Sequence, residues 1–114
     1  MTQSTKKLTK NTTPKSRAHS DSMAQMLHDD PEFANVYLES ALEDSHTPEG
    51  REALLLAMRQ LAIAQGMAQI AARAGIARES LYRALSPKGN PTLSTLLAVL
   101  GAAGLRFSVA KAVA

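Results

Sequence analysis

From residue 30 onward the apolar positions fall at three- and four-residue intervals, the period that lines up side chains on one face of a helix. Asp30-Pro31-Glu32 opens the first such segment with a capping acid, a proline at the first helical position and an acid in the first turn. This helix is predicted to run to about Asp44, with Phe33, Tyr37, Ala41 and Leu42 on its apolar face. Phe33 and Tyr37 are expected in the core or in an interface. Thr47-Pro48-Glu49 repeats the start signal. The longer helix that follows carries Ala53, Leu54, Ala57, Leu61 and Ala64 and stops at Gly66, with Arg51 and Arg59 on its solvated side. Residues 67–86 read as two short helices joined by a tight turn at Gly75. Ile70, Ala71 and Ala74 line one face of the first, Leu81, Ala84 and Leu85 the buried face of the second, and Ile76 plugs the corner. Gly75 stands where the chain reverses and positive φ is favoured.

The pattern then breaks at Ser86-Pro87-Lys88-Gly89-Asn90-Pro91, a loop by its proline, glycine and asparagine content. Thr92 caps a last helix whose predicted apolar stripe is Leu93, Leu96, Leu97 and Leu100, ending before Gly104. Leu105 to Val109 alternates apolar and polar residues, which predicts a half-buried strand. A lone strand leaves its edges unpaired. It either pairs with its copy in a second subunit, through Leu105, Phe107 and Val109, or packs as an irregular tail on its own domain. Residues 1–22 are polar, without apolar periodicity, and read as a disordered tail. That tail is either merely solubilising or a basic arm that tracks phosphates through Lys6, Lys7, Lys10, Lys15 and Arg17. The expected organisation is therefore a disordered basic tail over 1–22 and one all-α domain of five helices over 23–114, with a short C-terminal strand.

Composition agrees with packed helices. Hydrophobic residues make up 45% of the 114 residues, yet only 4% are aromatic, too few for a β-sandwich of this size. With no cysteine, disulfides and thiolate metal sites are excluded. The first residues hold no apolar stretch of secretory type and no apolar run is long enough to span a membrane, so a cytoplasmic protein is expected.

Charge is more informative by position than in total. The net charge is +3, but residues 23–50 hold seven acids and no Lys or Arg, whereas residues 51–114 hold eight Lys or Arg and two acids. Basic charge thus gathers around the two short helices, as in a helix-turn-helix whose second helix enters the DNA major groove. On that helix Leu81 and Leu85 point inward and leave Arg78, Glu79, Tyr82, Arg83 and Ser86 exposed. Arg78, at the N-terminal end, is placed to grip guanine O6 and N7. Glu79 accepts from cytosine N4 or orients a neighbouring arginine. Tyr82 offers its ring to a thymine methyl or its hydroxyl to a phosphate. Arg83, Ser86, Lys88 and Asn90 suit backbone phosphates, as does Gln69 on the first helix. The candidate DNA-contacting set is Gln69, Ala77, Arg78, Glu79, Tyr82, Arg83, Ser86, Lys88 and Asn90. The competing reading is an ordinary solvated helix face.

Nothing in the sequence points to catalysis. His19, His28 and His46 have neither a matching acid nor metal-ligand spacing, and there is no phosphate-binding glycine loop or nucleophile elbow. A non-enzyme without cofactor is expected.

The run GIARESLYRALSPKGNPTLSTLLAVLGAAGLRFSV, residues 75–109, resembles the addiction-module antidote proteins. These are antitoxins of the lambda-repressor/Cro-type helix-turn-helix superfamily, related to HigA-like antitoxins. EFANVYLESALED and ALLLAMRQLAIAQGMAQIAARAG upstream fit the same pattern, so the resemblance covers roughly residues 30–110. It implies a small dimeric antitoxin that binds a RelE/HigB-type mRNA-cleaving toxin encoded beside it and represses their shared promoter, with Arg78 to Leu85 as recognition helix. Met67 and Ala77 depart from the polar caps usual at the two helix starts, a loss of about 1 kcal/mol each. The family supplies no transferable toxin-binding motif. The acidic helix from Pro31 to Asp44 is the physical choice, because such toxins are basic and opposite charge steers encounter. Two other functions fit the same residues: a stand-alone phage-repressor-like regulator without a toxin, and a protein-interaction module in which the helix pair only packs.

Overall fold

Three helices begin where a side-chain oxygen waits for an otherwise unpaired backbone N–H. Asp30 accepts from the Phe33 N–H at 3.1 Å, Thr47 from Gly50 at 2.9 Å, and Thr92 from Thr95 at 3.1 Å; proline follows the first two caps at once. The computed structural model describes residues 15–112, with side chains from Ser22 onward. Over that range six helices follow one another: α1 (Lys15–Asp29), α2 (Pro31–Glu43), α3 (Pro48–Gln65), α4 (Met67–Ala74), α5 (Arg78–Ala84) and α6 (Leu93–Ala102).

The first of these corrects the expected count of five. Residues 15–22, assigned to a disordered tail, form the start of α1, while Lys6, Lys7 and Lys10 lie outside the described residues. The helix is anchored by Met23, Ala24 and Leu27, three apolar residues on one turn and a half, of which Ala24 and Leu27 are buried. So sparse a stripe in a polar segment gives almost no periodic signal, yet it suffices because α3 lies beneath it.

Helix α3 is the centre of the fold, with α1, α2 and α4 all packed on it. Leu55, Ala57, Met58, Gln60, Leu61 and Ala62 are all buried, an arc much wider than the single stripe expected, while Ala53 is exposed. Ala34 and Leu38 are the most deeply buried residues of α2, flanked by half-buried Phe33, Tyr37, Ala41 and Leu42. The Phe33 and Tyr37 rings stack with centroids 6.0 Å apart. The Tyr37 hydroxyl donates to Oε1 of buried Gln60 at 2.6 Å, so α3 carries a polar side chain at its centre without loss of hydrogen bonding. Burial pushes the Tyr37 phenol above its ordinary value. Gly50 is buried where α3 begins, and a Cβ there would collide with the Asp44 carbonyl. Its lack of a side chain lets the start of α3 close against the end of α2.

At Gly66 the chain bends by 103° from α3 into α4. No single helix among the described residues is long and apolar enough to cross a membrane. Helix α6 packs on α4 through only half of the stripe the sequence predicts. Val99 and Leu100 are buried and Leu96 half-buried, while Leu93 and Leu97 stand 67% and 48% exposed. The side facing α4 is the line Leu96, Val99, Leu100 and Ala103, held at its end by two side chains. Gln65 donates to the Ala103 carbonyl at 3.2 Å and Arg73 to that of Ala102 at 3.1 Å.

The expected strand over Leu105–Val109 is not formed, and no strand occurs among the described residues. Gly104 and Leu105 turn their N–H groups back to the Gly101 and Leu100 carbonyls, at 3.0 and 2.8 Å, and close α6. Leu105 packs against the core and the chain beyond it runs irregularly to residue 112. Alternation alone makes no strand when the fold supplies no strand to pair with.

Candidate nucleic-acid interface

The pair α4 and α5 is built around a three-residue turn, Gly75-Ile76-Ala77. Gly75 adopts φ 71° and ψ 32°, its N–H bonds to the Ala72 carbonyl at 3.2 Å, and the next N–H, of Ile76, bonds to Ala71 at 3.0 Å. This is the Schellman closure, with Ile76 as the apolar residue that folds back on the core. Ile70, Leu81 and Leu85 are each wholly excluded from solvent, so the angle between the helices is fixed by packing. Neither helix has a side-chain cap: Gly66 precedes α4 and Ala77 precedes α5, as the missing polar residues lead one to expect. Gly75→Ala is expected to cost about 1 kcal/mol. A Cβ there would meet no atom within 4 Å, so only the left-handed backbone is strained. Urea denaturation measures this, and a cost above about 3 kcal/mol would mean that packing limits the position as well.

The exposed side of α5 carries the sequence-predicted residues in three groups. Arg78 and Glu79 are exposed in the first turn, after the exposed Ala77. Tyr82, one turn on, is half-buried and its ring lies beside two guanidinium groups, that of Arg78 at 5.9 Å and that of Arg59 at 5.8 Å from the centroid. Arg83 is exposed and donates to Ser80 Oγ at 3.3 Å, while Ser86 donates to the Arg83 carbonyl at 2.9 Å and so closes the helix end. Lys88 and Asn90 are exposed on the following loop, where Arg51 of α3 donates to Asn90 Oδ1 at 3.4 Å. Among the described residues the only contact of a basic side chain with a carboxylate within 4.0 Å is that of the His28 ring with Asp29, 3.3 Å apart on α1. No carboxylate among the described residues lies within 4.0 Å of the arginines of this face, although Glu79 shares the first turn of α5.

Gln69 lines a groove of about 540 Å³ shared with His28, Pro31, Arg73 and Leu105. Of the expected dimer contacts, Leu105 packs on its own core, while Phe107 and Val109 are 37% and 98% exposed. Arg51 and Arg59, expected on the solvated side of α3, are exposed and half-buried respectively, and reach Asn90 of the loop and Tyr82 of α5. No sequence pattern marks them, because which side of α3 reaches α5 depends on the bend at Gly66.

The profile of a family described as "Probable addiction module antidote protein" matches residues 18–111. An uncharacterized protein of Haemophilus influenzae is 42% identical over 78 residues, covering 68% of this chain and 76% of that protein. No solved structure matches. The chain belongs to the addiction module antidote family, and membership in an antidote family implies a toxin as partner.

Proposed function

We propose that the protein is the antitoxin of a type II toxin–antitoxin module, and that it represses its own promoter through α4 and α5 acting as a helix-turn-helix of lambda-repressor/Cro type. It is read as a non-enzyme without cofactor that works in the cytoplasm. The observation that carries DNA binding is the exposed face of α5, whose Arg78 and Arg83 form no ion pair with a described carboxylate, displayed on a helix whose inner side is locked by Leu81 and Leu85. The toxin, small and basic and of the RelE/HigB type, is assigned to the outer face of α2, where Glu32, Glu39 and Glu43 are exposed. A homodimer matches a two-fold operator, and the exposed Phe107 and Val109, next to Leu105, are its proposed contacts.

Titration against the gene's own upstream DNA and an unrelated duplex, at several salt concentrations, tests the reading. Preferential binding to the former with a steep salt slope is expected. Lys88→Ala is expected to weaken binding to both duplexes by the same factor and to lower the salt slope by about one. An absence of salt-sensitive binding to either duplex would sink the repressor reading. Failure to co-purify with a small basic protein encoded beside it would sink the antitoxin reading.

A further inference from the structure

Tyr82 brings together two arginines that the sequence keeps 19 positions apart. Arg59 leaves the middle of α3 with its stem half-buried, and its guanidinium lies 5.8 Å from the ring centroid. Arg78 begins α5, is exposed, and lies 5.9 Å from the same centroid. The negative face of a phenol ring attracts such cations. Among the described residues no carboxylate lies within 4.0 Å of either guanidinium. Two long side chains are thus held in place by one ring, with their charge still available to an anion. Both would otherwise lose rotamer freedom on binding, so holding them beforehand removes part of that cost.

We infer that Arg59 is a DNA-contacting residue supplied by α3, and that Tyr82 is a positioning residue that holds it toward a backbone phosphate beside the base edge met by Arg78. The inference rests on the DNA-binding reading above and adds a contact from outside the helix pair. A phosphate is the target because Arg59 springs from α3, beside α5, and so meets the backbone that walls the groove, not the base edges on its floor. A basic toxin is excluded as the partner of this cluster by charge. In this arrangement the ring of Tyr82 lies against the two arginines.

The full chain is titrated with its own upstream duplex and an unrelated duplex over a series of salt concentrations, after thermal unfolding has established that each variant is folded. Arg59→Gln is expected to weaken binding to both duplexes by the same factor, about tenfold near 0.1 M salt, and to lower the salt slope by about one. Arg59→Lys, which keeps the charge and most of the stem, is expected to restore the slope. In a Tyr82→Leu background the further effect of Arg59→Gln should shrink to under about threefold, since the two residues act together. Three results would overturn the inference. Wild-type binding left unchanged by Arg59→Gln overturns it alone. A loss confined to the upstream duplex would make Arg59 a reader of bases and overturn the phosphate assignment. A wild-type chain that binds neither duplex overturns the DNA reading and this inference with it.

Discussion

Leu81→Ala is expected to lower the unfolding free energy by about 3 kcal/mol. Helix α5 has seven residues and no side-chain cap, and a helix so short does not hold its shape in isolation. Leu81 and Leu85, both at 0% exposure, are what fasten it to the rest of the fold. Removing three carbons at Leu81 forfeits their transfer energy and leaves a cavity against Ile70 and its neighbours in the same cluster. For a domain near 100 residues, about 3 kcal/mol corresponds to roughly 15 °C in melting temperature. It is a large part of the 5–15 kcal/mol typical of a whole domain. The check is equilibrium urea unfolding beside a surface control, Arg106→Ala, on an exposed position, which should shift by less than about 0.5 kcal/mol. A loss below about 1 kcal/mol at Leu81 would mean that α5 is held by something other than its inner face.

The buried face of α5 was legible because local chemistry and tertiary packing agree there. Gly75, Ile76, Leu81 and Leu85 each satisfy a local rule, and each occupies the predicted place. The caps at Asp30, Thr47 and Thr92 were legible for the same reason, since a cap is completed within four residues. The local pattern misleads wherever a distant element decides the outcome. Helix α1 has too few apolar residues to announce itself, and exists because α3 covers Ala24 and Leu27. Leu93 and Leu97 look as apolar as Leu96 and Leu100, but α4 selects the side that carries Val99. The alternation after Gly104 promised a strand that needs a second strand, and the Leu105 N–H is already spent on Leu100. In the candidate site, the residues on α5 were found from its own periodicity, whereas Arg51 and Arg59 depend on a 103° bend that no local pattern encodes.

Arg78→Ala is expected to reduce sequence preference more than it reduces affinity in general. Arg78 is the first residue of α5 and is exposed, and the N-terminal end of a recognition helix is the part that meets base edges. Its fork spans the two acceptors of guanine, a match worth about 1–3 kcal/mol against the wrong base, or roughly 10- to 100-fold. The contact with Tyr82 at 5.9 Å restrains the side chain before binding, so less freedom remains to be lost when the base contact forms. Affinity for the upstream duplex should therefore fall by about 10- to 100-fold, while binding to an unrelated duplex falls only about threefold. The salt slope should change by less than one, because a contact to a base releases no phosphate counterion. Competition between the two duplexes at fixed salt measures the ratio directly. Equal losses on both would place Arg78 with Lys88 among the phosphate contacts, and sequence reading would then fall to Glu79, the other exposed residue of that first turn.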